Sequence, residues 1–513
     1  MLSRVFTGSL YGLESELITV ETDLSAGLPA LTLVGLPDLT VKESKERIRS
    51  AIINSNYKFP AKRITINLAP ASTKKEGTHF DLPIAIGILA SIKIIDSMTI
   101  KDFAFIGELS LDGKVNHING ALPLVIGIRN KGIKKIVLPI SNAKEVSIID
   151  DVEIYPISKI DEIVDYFLNK TIIKPYKNSG YNIITTLRKD KADFSDVSGQ
   201  ETVKRALQIG VAASHNILMI GPPGAGKTMV ARRIPSIMPP MTYEEKLEVT
   251  KLYSIAGELS ERSPMILDRP FRAPHHTISA VAMVGGGSKP RPGEVSLAHY
   301  GVLFLDEFPE FNRKVIEMLR QPMEDEKITI NRISSSLTFP SKIMVVAAMN
   351  PCPCGYYGDS NHECTCKPYQ IHNYLSKISG PLLDRMDIQI EIMPVNYDSL
   401  IGNNKIKPRN SEEMRKEIER ARTVQLERYK KEDINYNSQL NPNLIKKYCI
   451  LNKESKDLMK EAFYKFSLSA RAYNKIIKLS RTIADIDGIN QIEAKHIAEA
   501  IQYRSLDKIV RGI

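Results

Sequence analysis

The stretch Gly221-Pro222-Pro223-Gly224-Ala225-Gly226-Lys227-Thr228 constrains this chain more than any other, because it dictates both a turn and what the turn must hold. It matches G-x-x-x-x-G-K-[ST] in full. The apolar run Ile217-Leu218-Met219-Ile220 precedes it, and Met229-Val230-Ala231-Arg232-Arg233 follows as a helix. Strand, glycine-rich loop and helix in that order close backbone N–H groups around phosphate oxygens, and the helix N-terminus adds positive potential. Lys227 is then placed for β- and γ-phosphates and Thr228 for Mg²⁺. The same context predicts an α/β fold with a parallel sheet flanked by helices.

Two later apolar runs end in polar residues that complete such a site. Val302-Leu303-Phe304-Leu305 reads as a buried strand and stops at Asp306-Glu307. Adjacent acids at a strand end suit divided work, with Asp306 in the Mg²⁺ shell and Glu307 orienting and deprotonating the attacking water. Ile343-Met344-Val345-Val346-Ala347-Ala348-Met349 ends at Asn350, a side chain placed to position that water against the γ-phosphate.

At 513 residues the chain is too long for one hydrophobic core, and two to four domains are expected. With 43% hydrophobic and 25% charged residues it is neither mostly disordered nor fibrous. Residues 1–170 read as a mixed α/β domain. Ile64–Leu68 and Leu31–Val34 alternate like strands, Lys135–Pro139 reads as another, and Lys42–Asn54 is an amphipathic helix on Val41, Ile48, Ile52 and Ile53. A further helix follows from Leu82. Residues 171–192, polar and basic around Pro175, Asn178 and Gly180, are the expected linker. Residues 193–397 hold every strong chemical motif, and 405–513 form a helical C-terminal region. There, Ser411 opens a helix with a stripe of Met414, Ile418, Ala421 and Leu426. Asn441-Pro442 reads as a cap, and Asn490 with Glu493 as a capping box for the last helix.

The longest charge-free apolar stretch, Leu82–Ile92, is far shorter than the ~20 residues a spanning helix needs. The N-terminus lacks the apolar run of a signal peptide. No membrane association and a cytoplasmic location are expected. Four of the five cysteines (Cys352, Cys354, Cys364 and Cys366) cluster, while Cys449 stands apart. In a reducing compartment such clustering points to metal more than to a disulfide, and two C-x-C knuckles can close a tetrahedral, structural Zn²⁺ shell. The C-x-C spacing is tighter than the usual C-x₂-C, and His362 or His372 can replace one thiolate. Free thiols are the other reading.

The phosphate loop, the acid pair, Asn350 and the later Gly380-Pro381-Leu382-Leu383-Asp384-Arg385-Met386-Asp387 together resemble an AAA+ ATPase. Within that superfamily the chain resembles the magnesium-chelatase-like branch, most closely the YifB/ComM proteins, nearly end to end. The resemblance implies an N-terminal Lon-like α/β domain, a P-loop AAA+ core and a C-terminal helical lid, with ATP and Mg²⁺ bound. It makes Asn350 sensor 1 and Arg385 an arginine finger inserted into the neighbouring subunit's site. Arg471, in Ser469-Ala470-Arg471-Ala472, becomes sensor 2. Either guanidinium matches charge developing on γ-phosphoryl oxygens. A homo-oligomeric ring, commonly a hexamer, is implied.

In this branch a hairpin inserted in the core's second helix points into the ring channel. Val284-Gly285-Gly286-Gly287-Ser288-Lys289-Pro290-Arg291-Pro292-Gly293 is the corresponding mobile, basic loop. Ile328, Ile330, Leu337 and Phe339 alternate on either side of residues 332–336, which predicts a second hairpin. Lys289, Arg291 and Arg332 are the candidates for gripping a DNA backbone, a task needing cations without base readout. The surplus of 70 Lys and Arg over 59 Asp and Glu, +11, permits such attraction without establishing it. His275 and His276, adjacent on an extended segment, are expected to face opposite ways and not to ligate together.

Gly107–Val115 and Ile118-Asn119-Gly120 resemble the Lon protease fold. A Lon-type nucleophile needs a Ser activated by a Lys. By alignment, Lys75-Glu76-Gly77-Thr78-His79 puts His79 at the serine position, and the lysine falls near Leu122. Ser72 and Lys74 are close in sequence only. The expected function is therefore a ring-forming, ATP-hydrolysing motor on single-stranded or branched DNA, of the branch-migration type used in natural transformation. The competing readings are a magnesium-chelatase-type ATPase chaperone acting on a protein partner and, weakened by the missing dyad, an ATP-dependent protease.

Overall fold

A computed structural model describes residues 2–176, 192–260, 263–287, 290–331, 336–359, 362–394 and 409–504. Lys289 and Arg332, and most of the expected 171–192 linker, lie outside these residues, as does the 397–405 boundary. The chain forms two compact units. One comprises Met1–Thr185, Tyr243–Leu267 and Asn331–Phe339, the other Thr186–Thr242, Asp268–Ile330 and Pro340–Ile513.

The second unit is organised by a five-stranded parallel sheet, in the order Phe271–Arg272, Val302–Leu305, Met344–Met349, Ile217–Ile220, Ile388–Glu391. Its three central strands, Val302–Leu305, Met344–Met349 and Ile217–Ile220, are apolar throughout because both faces are covered. Met219, Phe304, Val346 and Ile390 enter one buried cluster, while Leu218, Leu303, Val345 and Ala347 enter the other. Successive side chains thus alternate between two cores. Pairing Ile220 with Met349 and Leu305 with Ala347 aligns the strand ends. Gly221, Asp306 and Asn350 therefore emerge along one edge.

Helices Ser411–Arg428, Pro442–Tyr448, Lys453–Lys465, Ala470–Ile486 and Ala494–Gln502 form the C-terminal lid. Their apolar faces join the cluster that covers one side of the sheet. Met414, Ile418 and Ala421 are buried, but Leu426 is 51% exposed and Gln425 takes the inward position. Leu426 stands five positions beyond Ala421, too many for the 3.6-residue period, whereas Gln425 stands four beyond it. The Gln425 amide is satisfied there by donating to Ala212 O at 3.1 Å. Asn441 caps its helix as expected, accepting from Asn443 N and Leu444 N. The last capping box sits elsewhere: Glu493, not Asn490, is the cap, paired with His496.

The first unit carries a seven-stranded mixed sheet, ordered Ala30–Val34, Arg63–Ala69, Glu14–Ser25, Leu2–Tyr11, Phe103–Phe105, Lys135–Pro139, Glu153–Ile157. Its helix Leu39–Asn54 buries Val41, Ile48 and Ile52. Ile53 is 48% exposed, since the next residue along a helix turns away from the stripe. Among the described residues no helix is long and apolar enough to cross a membrane.

Candidate nucleotide-binding site

The phosphate loop turns through Gly224 at φ +78° and Gly226 at φ +87°, conformations that side chains rarely adopt. Nothing lies within 4 Å of where a Cβ would project from either, so backbone conformation rather than crowding calls for glycine there. The helix Lys227–Ala231 begins directly behind it. Lys227 Nζ points back into the loop and donates to Gly221 O at 2.6 Å, Pro222 O at 2.9 Å and Asn350 Oδ1 at 3.0 Å. Burial pushes its ammonium below the ordinary lysine range, and the nearby Asp306 carboxylate opposes that. Three neutral oxygens thus occupy a cation that phosphate oxygens would satisfy better.

Thr228 Oγ1 donates to Asp306 Oδ2 at 2.7 Å. Two hard oxygens at this separation, beside the loop, are the donor pair that Mg²⁺ takes together with phosphate and water. Glu307 follows in the left-handed region at φ +52° and is 61% exposed at its side chain. Its N–H donates to Asp306 Oδ1 at 3.0 Å, which fixes the two acids relative to each other. His276 Nδ1 lies 3.2 Å from Glu307 Oε2. The His275 and His276 rings are 4.1 Å apart rather than divergent, because strand Phe271–Arg272 has ended and the chain turns there.

Arg385 and Arg471 come together elsewhere in the same unit. Arg385 is buried, donates to Pro381 O at 2.6 Å and reaches Glu324 Oε1 at 2.5 Å. Arg471 donates to that same Glu324 oxygen at 2.6 Å. Hydrogen bonding from Arg385 first, and from Arg471 after burial's opposing effect, holds the Glu324 carboxyl below the usual range. All three line a cavity of about 580 Å³ with Arg269, Lys475 and Lys478. No phosphate-loop residue lines it, and neither do Asp306 and Glu307.

Sequence reasoning missed several of these supports. Asn216, just before the loop strand, accepts from Val345 N at 2.8 Å and donates to Arg385 O at 3.3 Å, tying the Arg385 segment to the sheet. Asp387 joins it by accepting from Asn216 N at 3.1 Å. Although burial alone would raise it, the buried Lys475 and then His215 hold the Asp387 carboxyl far below the usual range. Gln200 donates to Ala225 O at 3.1 Å behind the loop. Only Asn216 carried a readable signal, a polar residue abutting an apolar strand.

The four clustered cysteines place their sulfurs within 4.8 Å of one another. No histidine joins them in that group, so neither His362 nor His372 is needed as a ligand. Of the nucleic-acid candidates, Arg291 is exposed on the short strand Arg291–Pro292, which pairs antiparallel with Gly285–Gly286. Strands Lys327–Asn331 and Ser336–Pro340 form where the second hairpin was expected.

At the positions aligned with the protease serine and lysine stand His79 and Leu122. His79 is buried with Nε2 2.9 Å from Gly8 O, and burial brings its imidazole down to about 4. Leu122 is fully buried. Lys74 pairs with Glu76 at 2.5 Å, and Lys75 donates to Thr73 O and Pro70 O.

A phosphate loop, an acid pair and a polar strand end on a five-stranded parallel sheet with a helical lid define a P-loop AAA+ ATPase. Family comparison agrees along most of the chain. Residues 193–400 match magnesium chelatase, subunit ChlI; residues 20–142 match subunit ChlI of Mg-chelatase; residues 408–504 match the ChlI C-terminal region. Competence protein ComM of Haemophilus influenzae is 42% identical over 518 residues, covering 100% of this chain and 99% of the relative. YifB of Salmonella typhimurium is 40% identical over 512 residues, 99% of this chain and 98% of the relative. The chain belongs to the YifB/ComM family of magnesium-chelatase-like AAA+ ATPases. Its N-terminal likeness to Lon is separate: Lon protease of Azorhizobium caulinodans is 28% identical over 165 residues, 30% of this chain and 19% of the protease.

Proposed function

We propose that this protein is a ring-forming ATP-hydrolysing motor, hexameric, that moves single-stranded or branched DNA in the manner of a branch-migration factor in transformation or recombination. The observation that carries the ring is the pairing of Arg385 and Arg471 on Glu324, in a cavity that no phosphate-loop residue lines. Two guanidinium groups held together away from their own loop are suited to a neighbour's triphosphate, and a lone protomer then hydrolyses poorly. Within each site Gly221–Thr228 hold the phosphates and Asn350 positions the lytic water. Glu307 takes the proton of that water, and its exposure leaves room for it. Thr228 and Asp306 would hold Mg²⁺, which when bound would supply neutralisation of phosphate charge. The cysteine cluster holds a structural Zn²⁺ that supplies no metal catalysis.

DNA as the substrate rests on the exposed Arg291 and on the name of the Haemophilus influenzae relative, a competence protein. Lys289 and Arg332 complete the same grip. Residues 1–170, without a dyad, are a scaffold or partner platform beside the core at 193–397 and the lid at 405–513. The cytoplasm, where ATP and chromosomal DNA meet, is the site of action. A second reading, an ATPase chaperone for a protein partner, is favoured by the chelatase-subunit matches. An ATPase assay with single-stranded, duplex and branched DNA across a salt series separates them. Stimulation by DNA supports the motor, and none at any salt concentration supports the chaperone.

A further inference from the structure

The cysteine cluster follows directly on Asn350, and its geometry reaches the phosphate loop. Cys352 Sγ lies 3.3 Å from Cys354 Sγ and 3.7 Å from Cys364 Sγ, and the Cys354–Cys364 separation is 3.6 Å. Four sulfurs about 2.3 Å from a tetrahedral ion stand about 3.8 Å apart, so these three already sit near the spacing Zn²⁺ takes, and Cys366 Sγ lies within 4.8 Å of each. Backbone N–H groups are already aimed at the sulfurs. Gly355 N and Tyr357 N donate to Cys352 Sγ at 3.2 and 3.3 Å, and Cys354 N donates to Cys366 Sγ at 3.4 Å. Such donors stabilise thiolates rather than thiols. All four cysteines are free of disulfides.

The knuckle is pressed against the nucleotide site. Gly355 turns at φ +92°, and a Cβ there would lie 2.6 Å from Pro223 Cδ and 3.9 Å from Asn350 Cγ. Cys352 is fully buried in the cluster that contains Ile220, Leu305 and Met349, the last residues of the three strands that carry the site. Moving Cys352 therefore moves the floor under the loop, and moving Gly355 moves Pro223.

We propose that Cys352, Cys354, Cys364 and Cys366 bind one Zn²⁺ as thiolates, and that this centre sets the position of the phosphate loop through Gly355 against Pro223. The proposal rests on Gly221–Thr228 being the nucleotide site. Metal occupancy then governs the grip on ATP without the metal touching it. Binding releases the thiol protons to solvent, and the ion replaces thiol contacts that otherwise hold the two knuckles together only weakly.

The test uses the full chain. Elemental analysis of purified protein is expected to give one zinc per chain, and Co²⁺ substitution the visible absorption of a tetrahedral thiolate site. No metal, or iron in its place, overturns the assignment. Cys364→Ser with Cys366→Ser is expected to lose zinc and to weaken binding of a fluorescent ATP analogue about tenfold, with helical circular dichroism retained. Gly355→Ala, which keeps all four thiols and circumvents misfolding of the cysteine variant, is expected to retain zinc and to weaken the analogue comparably. Full-affinity binding by the zinc-loaded Gly355→Ala protein overturns the coupling. Lys227→Ala keeps zinc and loses the analogue. Failure of the nucleotide-site reading would instead show as zinc-loaded wild-type protein that does not bind the analogue.

Discussion

Lys227 Nζ and Asn350 Oδ1 meet at 3.0 Å, joining the phosphate loop to the end of the neighbouring parallel strand. The contact exists because Ile220 pairs with Met349, which brings the next residue of each strand to the same edge. On the proposed function, a γ-phosphate oxygen would compete for this ammonium and free the Asn350 amide to face water, which would link binding and water placement through one side chain.

The acid pair divides along the same edge. Thr228 engages Asp306, whereas Glu307 projects outward beside His276. Glu307→Gln keeps the shape and removes the base. It is expected to bind ATP as the wild type does and to lower kcat by about 10²- to 10⁴-fold. Lys227→Ala is expected to lose binding itself. Equilibrium binding beside steady-state phosphate release distinguishes the two, and undiminished turnover in Glu307→Gln removes that residue as the base.

The three central strands of the ATPase sheet were legible because both faces are buried, which leaves continuous apolar runs bounded by the motifs themselves, whereas the edge strands Phe271–Arg272 and Ile388–Glu391 carry polar residues and were not read. Ile217–Ile220 and Val302–Leu305 form as read. Helix faces were less secure: Ile53 and Leu426 are apolar yet exposed, since composition near a stripe does not fix its phase. Glu324 left no trace in sequence. It sits in the run Glu324-Asp325-Glu326, and nothing local marks the first of three acids as the partner of two distant arginines. The histidine pair was misread by assuming extended backbone where the chain turns.

A buried acid in the first unit gives a pH signature. Glu145 Oε1 accepts from Leu122 N at 3.1 Å and from Ser254 Oγ at 3.2 Å, yet burial dominates and raises its carboxyl to about 7. The folded value lies above the unfolded one of 4.5. The neutral form is therefore favoured by folding, and its stabilisation is complete below about pH 4.5 and lost as pH rises through 7. Glu145→Gln keeps acceptor and shape without charge. It is expected to stabilise the protein by about 3 kcal/mol at pH 8 and to make little difference at pH 4.5. Chemical denaturation at the two pH values checks this, and an equal effect at both would place the cause elsewhere.

Arg291 is expected to act as a phosphate contact. Arg291→Ala then weakens binding about equally across DNA sequences and lowers the slope of log affinity against log salt by about 1 per contacting subunit. Fluorescence anisotropy over a salt series measures both. A slope unchanged from wild type would remove Arg291 from the DNA path.

The arrangement around Glu324 has its sharpest consequence in mixed assemblies. Glu324 holds both guanidinium groups on one oxygen, so Arg385 and Arg471 are ordered before any neighbour arrives. In the proposed ring, a neighbour's triphosphate would offer more negative charge than this one carboxylate and would take the arginines over. A Lys227→Ala chain has no working loop but presents an intact finger, and an Arg385→Ala chain has the reverse. Each alone is expected to be inactive, with the finger loss costing about 10³-fold or more. Mixed in equal amounts, they form interfaces in which an intact loop faces an intact finger. Partial recovery of phosphate release, rising and falling with the mixing ratio, is the expected outcome. Arg471→Ala in place of Arg385→Ala is expected to behave alike. Verified mixed rings that stay inactive at every ratio would show that the arginines serve their own chain.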